Sequence, residues 1–209
     1  MAQQERGTRS RNLLLRAAAE VFDERGYDSA STTEILERSG LTRGALYHHF
    51  PSKEAIAVAL LTTHRDALEV PSQSTKVQAV IDLTFAFAFQ LQRDPMLRAC
   101  VRLAVEQSSL RDSAVTPYQQ ASKAIRELLV QAKEQGELLP GVDLLEAAEM
   151  INGTFTGIQV MSRVQTDRED LPQRVSIMWR FLLPGLVSPG MIGHLRTTPA
   201  PQQTDTSAR

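Results

Sequence analysis

The sequence predicts an all-α protein, and three observations support this fold class. Apolar residues recur at helical spacing, three or four residues apart, along almost the whole chain. We find no sustained run in which apolar and polar residues alternate, which is the pattern of a half-buried strand. Helix start and stop signals flank the periodic segments, with Ser, Thr or Asp before them and Gly or Pro after them. The chain has 209 residues, which is enough for a small helical domain and a larger one.

Four helices are predicted in the first third of the chain. Their expected bounds are residues 8–25, 31–40, 42–50 and 52–68. Gly26 and Gly40 mark two of the ends, because glycine readily takes the left-handed conformation that terminates a helix. Ser31 and Glu34 have the spacing of a capping box, which opens the second helix. Pro51 closes the third helix because proline has no N–H with which to continue the hydrogen-bond ladder.

Six more helices are predicted after the polar break at residues 71–74. Their expected bounds are residues 75–93, 95–107, 117–135, 143–163, 171–183 and 189–195. Asp143 and Glu146 form a second capping-box pattern, and the tail from Thr197, rich in Thr, Pro, Gln and Ser, is predicted to be disordered. The expected domains cover residues 1–52, residues 53–196 and, as a disordered tail, residues 197–209.

The charge of the chain is nearly balanced, with a formal net charge of −1. A phosphate-rich partner would therefore need a locally basic surface. Such segregation occurs in the first 16 residues, where a single acid, Glu5, accompanies four arginines. These are Arg6, Arg9, Arg11 and Arg16. The segment fits either a phosphate-contacting surface or a solvated, flexible arm.

Several classes of protein are not expected. Cys100 is the single cysteine, so neither an intramolecular disulfide nor a thiolate metal cluster can form. We find no signal-like or membrane-spanning apolar run, so the protein is expected in the cytoplasm and not at a membrane. The four histidines show no metal-ligand spacing, and no glycine-rich phosphate loop occurs. We therefore expect no enzyme activity, no metal and no cofactor.

Residues 31–50 predict two short helices separated by a turn at Gly40, which is the spacing of a helix-turn-helix. Ile35 on the first helix would pack against Leu46 and Phe50 on the second. The outer face of the second helix would then be free to enter the major groove of double-stranded DNA, which is wide enough for a helix. A plain helical hairpin is the alternative, since such pairs are common.

The outer face of this second helix carries residue types that contact DNA. Arg43 can read guanine with a bidentate hydrogen bond, and Gly44 lets the backbone approach. The hydroxyls of Thr42 and Tyr47 suit phosphates, as does Lys53 at the start of the fourth helix. The predicted DNA-binding residues are Thr32, Thr33, Thr42, Arg43, Gly44, Tyr47, His48 and Lys53.

Beyond this spacing, the stretch from Arg9 to about Leu61 resembles the TetR family of bacterial repressors. The matching segments are residues 17–22 (AAAEVF), 26–27 (GY), 33–35 (TEI), 40–50 (GLTRGALYHHF) and 52–54 (SKE). The resemblance implies a dimeric, all-helical repressor in which each subunit places its third helix in one half-site of a pseudo-palindromic operator. The residues at DNA-contacting positions of that family are Thr42, Arg43, Gly44, Tyr47, His48 and Lys53. Tyr27 and Phe50 fall at its structural positions.

The remainder of the chain is similar to the γ-butyrolactone autoregulator receptors of streptomycetes. The similar segments are residues 98–103 (RACVRL), 131–140 (QAKEQGELLP) and 153–160 (GTFTGIQV). Two positions depart from that branch: Ala121 stands where receptors usually carry a pocket tryptophan, and His64 stands where many relatives have glutamine. These departures fit a pseudo-receptor, a sub-branch that answers to other molecules, often antibiotics or their intermediates.

A pocket for a small-molecule effector is expected among the helices of the second domain, because bundles form cavities between facing helices. The predicted ligand-binding residues are His64, Phe85, Phe89, Leu103, Tyr118, Ala121, Ile125, Thr154, Phe155, Ile158 and Trp179. Each apolar member could equally be plain core. Thr154 and His64 are favoured because a buried polar group needs a partner, although a threonine can also bond to its own helix.

The contact of a homodimer is expected on the last two long helices. Trp179 and the close spacing of Gly153 and Gly157 fit a helix interface there. The sequence therefore predicts a repressor that a small-molecule ligand releases from its operator, in the control of secondary metabolism and antibiotic biosynthesis. The alternative is a ligand-independent DNA-binding regulator whose larger domain only dimerises.

Overall fold

The computed structural model describes residues 2–63, 73–107 and 117–200, and the regular structure in these ranges is helical. The helices are α1 (Ala2–Arg25), α2 (Thr32–Ser39), α3 (Arg43–His49), α4 (Lys53–Thr63), α5 (Lys76–Arg93), α6 (Pro95–Glu106), α7 (Pro117–Glu134), α8 (Leu144–Thr166), α9 (Leu171–Leu186) and α10 (Pro189–Ile192). Leu138 and Val187 form an isolated antiparallel bridge. The prediction of an all-α fold is confirmed. Within the described ranges, no helix is long and apolar enough to cross a bilayer.

The chain divides into two compact units. The first comprises the described residues of Met1–Ala67 and Arg93–Gln120, and the second those of Leu68–Gln92 and Ala121–Arg209. By packing, α4 and α6 therefore belong with the first three helices, a grouping that the predicted boundary after residue 52 does not include. As functional assignments, the predicted domains stay predictions, and residues 201–209 of the predicted tail lie outside the described ranges.

An apolar core holds the first unit together. Its fully buried large side chains are Leu14, Leu15, Phe22, Ile35, Leu46, Ile56, Leu60, Leu61 and Leu103. Burial of one such side chain contributes roughly 1.5–3 kcal/mol. A helix of seven residues such as α3 is not stable by itself in water. Leu46 and the buried Phe50 therefore determine where α3 lies.

Helix caps occur where the sequence predicts them. The Ser31 hydroxyl accepts a bond from the Glu34 N–H, and the Glu34 carboxylate accepts one from the Ser31 N–H, both at 3.1 Å. Gly40 follows α2 in the left-handed conformation, with φ of 67°. The Asp143 carboxylate accepts N–H groups in the first turn of α8, including that of Glu146 at 3.0 Å. The predicted capping box of α2 is confirmed, whereas at α8 the Asp143 side chain caps the helix without the reciprocal bond to the Glu146 carboxylate that a full box has.

The predicted ends of α8 and α9 are too short, since both helices run three residues further. α8 ends at Thr166 and is followed by Asp167 in the left-handed conformation, with φ of 48°. α9 continues past Pro184 because the ladder resumes after it, with the Val187 N–H bonded to the Leu183 carbonyl at 3.0 Å. α1 starts six residues before its predicted start, and α10 ends three residues before its predicted end.

Trp179 of α9 is a fully buried side chain of the second unit. Its indole N–H donates to the Thr84 hydroxyl of α5 at 2.8 Å, and that hydroxyl donates to the Ile81 carbonyl at 2.7 Å. Phe87 of α5 and Phe155 of α8 meet edge to face, with ring centroids 5.6 Å apart. The Trp179 N–H and the Thr84 hydroxyl thus both have partners, as buried polar groups require.

Two polar contacts anchor the start of α5. The buried Glu137 carboxylate, which follows α7, accepts the N–H groups of Lys76 and Val77 at 2.8 Å each. A carboxylate at a helix start satisfies free N–H groups and suits the helix dipole. Asp82, also buried, accepts a hydrogen bond from the Arg196 guanidinium at 2.9 Å. The loop after α7 and the segment after α10 therefore both stabilise α5.

Candidate nucleic-acid interface and effector region

α3 has one buried and one exposed face. The Thr42 hydroxyl caps its start by accepting the Ala45 N–H at 3.3 Å, and the Phe50 N–H bonds to the Leu46 carbonyl at its end at 2.8 Å. Leu46 is fully buried. The exposed residues at the start and on the outer side of α3 are Thr42, Arg43, Gly44, Tyr47 and His48. Five predicted DNA-binding residues are thus exposed together.

Arg43 lies in the first turn of α3. Its guanidinium carbon is 5.6 Å from the centroid of the Tyr47 ring, which lies one turn later. Such a cation–π contact orients the guanidinium and leaves its N–H edge available for hydrogen bonds. Among the described residues, no carboxylate forms an ion pair with Arg43. The arrangement can offer paired donors to the acceptors of a guanine edge.

Thr32 and Thr33 are the first two residues of α2 and directly follow Ser31, the residue that caps the helix. Thr33 is exposed, and Thr32 is half-buried. Hydroxyl and N–H groups in a first helical turn suit phosphate oxygens. The contact of both threonines with DNA stays a prediction.

Lys53 makes contacts that its position in the sequence does not reveal. Its ammonium donates to the carbonyls of Tyr27 at 2.7 Å, Ala30 at 2.9 Å and Asp28 at 3.4 Å. It also lies 4.5 Å from the centroid of the Tyr27 ring. An ammonium has three N–H donors, and three carbonyls of the loop between α1 and α2 accept from it. Lys53 is therefore a positioning residue for that loop. A phosphate would have to compete with these carbonyls.

Two arginines, Arg38 and Arg102, bond to the C-terminal end of α1. Arg38 of α2 donates two hydrogen bonds to the Glu24 carboxylate of α1, at 2.8 and 2.9 Å. Arg102 of α6 donates to the Asp23 carbonyl at 2.6 Å. Gly26, with φ of 80°, leaves room for this contact, since a Cβ there would lie 2.6 Å from Arg102 Nη2. No local sequence signal identifies these partners, which come from different helices.

The predicted effector residues of α5, α7, α8 and α9 lie in the second unit, apart from Tyr118. The buried ones are Phe85, Ile125, Phe155 and Trp179. The half-buried ones are Phe89, Ala121, Thr154 and Ile158. The Thr154 hydroxyl bonds to the Met150 sulfur of its own helix at 3.6 Å. Since the Trp179 N–H is satisfied by Thr84, Trp179 serves the core in this conformation.

Three predicted effector residues lie elsewhere. Leu103 is fully buried in the core of the first unit, and Tyr118 belongs to that unit as well. His64 lies outside the described residues. A groove of about 350 Å³ between α7 and α8 contains none of the predicted effector residues. It is lined by Ser122, Lys123, Arg126, Glu127, Val130, Leu145, Ala148 and Glu149.

α8 and α9 expose apolar side chains that a core would be expected to cover. They are Leu145, Met150, Val160, Met161 and Val164 on α8, and Ile177 and Phe181 on α9. Phe181 is 81% exposed and Val164 is 77% exposed. Gly153 and Gly157 are exposed beside them, whereas Trp179 is fully buried and offers no surface to a second chain. Exposed apolar patches are typical of interaction surfaces in proteins.

Cys100 has a buried thiol of low reactivity. Burial raises the pKa of its thiol to about 12, and the thiol donates to the Leu60 carbonyl at 3.4 Å. A thiol with so high a pKa forms almost no thiolate at neutral pH, and thiolate is the reactive form. This residue therefore acts as a small apolar member of the core.

Comparison with known proteins finds a matching family for each of two successive parts of the chain. The family described as bacterial regulatory proteins, tetR family, matches residues 14–60, and the tetracyclin repressor-like C-terminal domain matches residues 74–188. The A-factor receptor protein of Streptomyces griseus is 38% identical over 196 residues, which cover 94% of this chain and 70% of that protein.

Solved structures agree with these matches. TylP, a tetR regulator from Streptomyces fradiae, is 40% identical with a TM-score of 0.77, over 92% of this chain and 93% of that one. A γ-butyrolactone receptor described as ArpA-like is 28% identical with a TM-score of 0.74, over 89% of this chain and 92% of that one. The resemblance to TetR repressors and to γ-butyrolactone receptors is confirmed. The chain belongs to the tetR family of bacterial regulatory proteins and is a DNA-binding transcriptional repressor.

Proposed function

We propose that a small-molecule effector releases this repressor from its operator and that the repressor controls secondary metabolism. The observation that carries the proposal is the 38% identity to the A-factor receptor protein across 94% of this chain. Identity over that length includes the effector region as well as the DNA-binding helices. The proposed ligand is a γ-butyrolactone, or an antibiotic or one of its intermediates. Ala121 and His64, the two departures from the receptor branch, favour the second class.

The proposed DNA contacts follow from the exposed side of α3. Arg43 would bond to a guanine edge, and the hydroxyls of Thr42 and Tyr47 would bond to phosphates. Gly44 and His48 complete this surface, since both are exposed beside Arg43. Operator DNA is in the cytoplasm, where the protein is proposed to act.

A homodimer is proposed to form through α8 and α9. The exposed side chains of Val164 and Phe181 supply apolar area, and Gly153 and Gly157 allow close approach of helices. A two-fold dimer would match the symmetry of a pseudo-palindromic operator and would place two copies of α3 in successive major grooves.

Release is proposed to be a population shift, in which the effector binds more tightly to a conformer that does not fit the operator. Arg98 of α6 forms an ion pair with the Asp23 carboxylate of α1, and Arg102 bonds to the Asp23 carbonyl. A displacement of α6 would therefore move the end of α1. Because α1 and α3 share one core, the orientation of α3 would change with it.

A mobility-shift titration of the full-length protein with a DNA fragment from its own upstream region tests this function. We expect a shifted band that γ-butyrolactones or antibiotic-pathway compounds abolish. The same compounds should raise the melting temperature, because a ligand that binds only the folded state stabilises it. A band that no compound releases, together with an unchanged melting temperature, would favour a ligand-independent regulator. Absence of binding to the upstream region would show that the protein's own gene is not one of its targets.

A further inference from the structure

We propose that Arg11 of α1 is a further DNA-binding residue, which contacts a backbone phosphate beside the end of α3. The inference rests on the DNA-binding role of α3 and extends that surface onto a second helix. The arginine-rich start of the chain fits two descriptions by sequence, a phosphate-contacting surface or a flexible arm. In the structure, residues 2–16 of this segment belong to α1, a continuous helix of 24 residues.

Arg11 lies against the last residues of α3. Its guanidinium carbon is 5.3 Å from the centroid of the Phe50 ring, and the His49 ring is 6.4 Å from the same ring. Burial, the neighbouring His48 and the Arg11 charge lower the pKa of His49, which agrees with Arg11 lying beside the end of α3. A guanidinium stacked on an aromatic ring keeps its in-plane N–H donors, and these suit the oxygens of a phosphate.

The charges around α1 are segregated. Near its C-terminal half, arginines are neutralised by carboxylates in the pairs Arg25–Glu34, Arg38–Glu24, Arg98–Asp23 and Arg102–Glu106. Within the described part of the chain, Arg11 has no such carboxylate, and neither has Arg43. A cation without a protein counterion can bind a phosphate without first breaking an ion pair, and each phosphate it neutralises releases condensed counterions of the DNA.

Arg16 provides a matched comparison on the same helix. It is exposed, and no ion pair joins it to a described residue. It lies five positions after Arg11, which places it about 140° away around the helix. Arg16 therefore points away from α3, and the two arginines differ in direction but not in charge.

The test measures binding of the full-length protein to a fluorescent duplex of mixed sequence during a potassium chloride titration. A phosphate contact does not depend on sequence, so no operator is needed. We expect Arg11→Gln to reduce the slope of log K against log salt by about 0.9 for each bound subunit. Affinity at fixed salt should fall on the order of tenfold. Arg16→Gln should keep the wild-type slope, and Arg11→Lys, which retains the charge, should restore it.

Two outcomes would overturn the inference. If Arg11→Gln lowers the melting temperature while the salt slope stays at the wild-type value, Arg11 only supports Phe50. If Arg11→Gln and Arg16→Gln reduce the slope equally, the effect is one of net charge and not of a contact. A wild-type protein whose binding to DNA no candidate effector weakens would contradict the proposed function. The salt slopes of the variants would still decide the role of Arg11.

Discussion

α3 and the core of the second unit differ in whether residue type distinguishes the predicted functional side chains from their neighbours. On α3, polar residues such as Arg43 and Tyr47 are exposed, and the apolar Leu46 is buried. In the second unit, the predicted effector residues Phe155 and Trp179 are buried in the same apolar core as their neighbours. A DNA-reading surface therefore differs from the core in residue type, whereas an apolar pocket does not. The residues of the DNA-reading surface can therefore be recognised from sequence alone. The residues of an apolar pocket cannot, because they resemble the core around them.

The largest effect is expected for Trp179→Ala, which tests whether Trp179 is core. We expect the free energy of unfolding to fall by about 3–5 kcal/mol, because a cavity remains and the Thr84 hydroxyl loses its donor. Urea denaturation followed by far-UV circular dichroism measures it. Gln173→Ala, an exposed position of α9, should change stability by no more than about 0.5 kcal/mol. A small loss for Trp179→Ala would indicate an adaptable pocket wall instead.

Arg43→Ala tests the DNA-reading surface of α3. We expect operator binding to weaken by about 1–3 kcal/mol, because a bidentate base contact is lost. The melting temperature should stay unchanged, since Arg43 is exposed and forms no ion pair with a described residue. Mobility shift and thermal unfolding measure the two quantities. Lys133→Ala, an equal change of charge on α7, serves as the control and should leave affinity unchanged.

Gly26→Ala tests the packing at the C-terminal end of α1, a helix that shares one apolar core with α3. Alanine is strained at φ of 80°, and its Cβ would lie 2.6 Å from Arg102 Nη2. We expect a loss of stability greater than about 1 kcal/mol, measured by urea denaturation. Gly136→Ala is a matched control, because Gly136 has φ of 71° and no atom within 4 Å of the added Cβ. Equal losses at both positions would show that the contact with Arg102 costs nothing.

The smallest effect is expected at acid pH, around Asp170. Hydrogen bonds from Ser162 and Thr166, with Arg174 nearby, lower the pKa of Asp170 from 3.8 to about 2. A carboxyl whose pKa is lower in the folded state stabilises the protein above the unfolded pKa. That stabilisation is lost as the pH falls from about 4 to about 2. Asp170→Asn should therefore flatten the dependence of the urea midpoint on pH in this window.

Asp167→Asn is the control for this prediction, since the side chain of Asp167 is 94% exposed. Its pH dependence should match that of the wild type. A wild-type profile for Asp170→Asn would show that the hydroxyl contacts do not favour the charged carboxyl.

Much of the DNA-binding region could be predicted from sequence, because its signals are local. Ser31 and Glu34 form the expected capping box, and Thr42 caps α3. The interpretation of Lys53 shows the limit of such reasoning. Its place at a helix start predicts a phosphate contact, yet its ammonium bonds to carbonyls of residues 27–30, more than 20 positions earlier.

The effector region was less predictable for a related reason. Leu103 has the same apolar periodicity as the other candidates, but it is buried in the first unit. Pro184 suggests a helix end, but α9 continues because a later hydrogen bond and the burial of Leu186 compensate for the missing N–H. Periodicity tells that a residue is buried, and not what it is buried against.

By itself, the sequence determined the helices, their caps, the polar outer side of α3 and the family. The helices, the caps and the exposed side of α3 depend on residues three or four positions apart, so they can be read from the sequence directly. The family follows from motif residues that match in order. Only the tertiary structure decided the partners of Lys53, Arg102 and Glu137, and the stacking of Arg11 on Phe50. These contacts join residues that are distant in the chain, so their geometry exists only once the helices have packed.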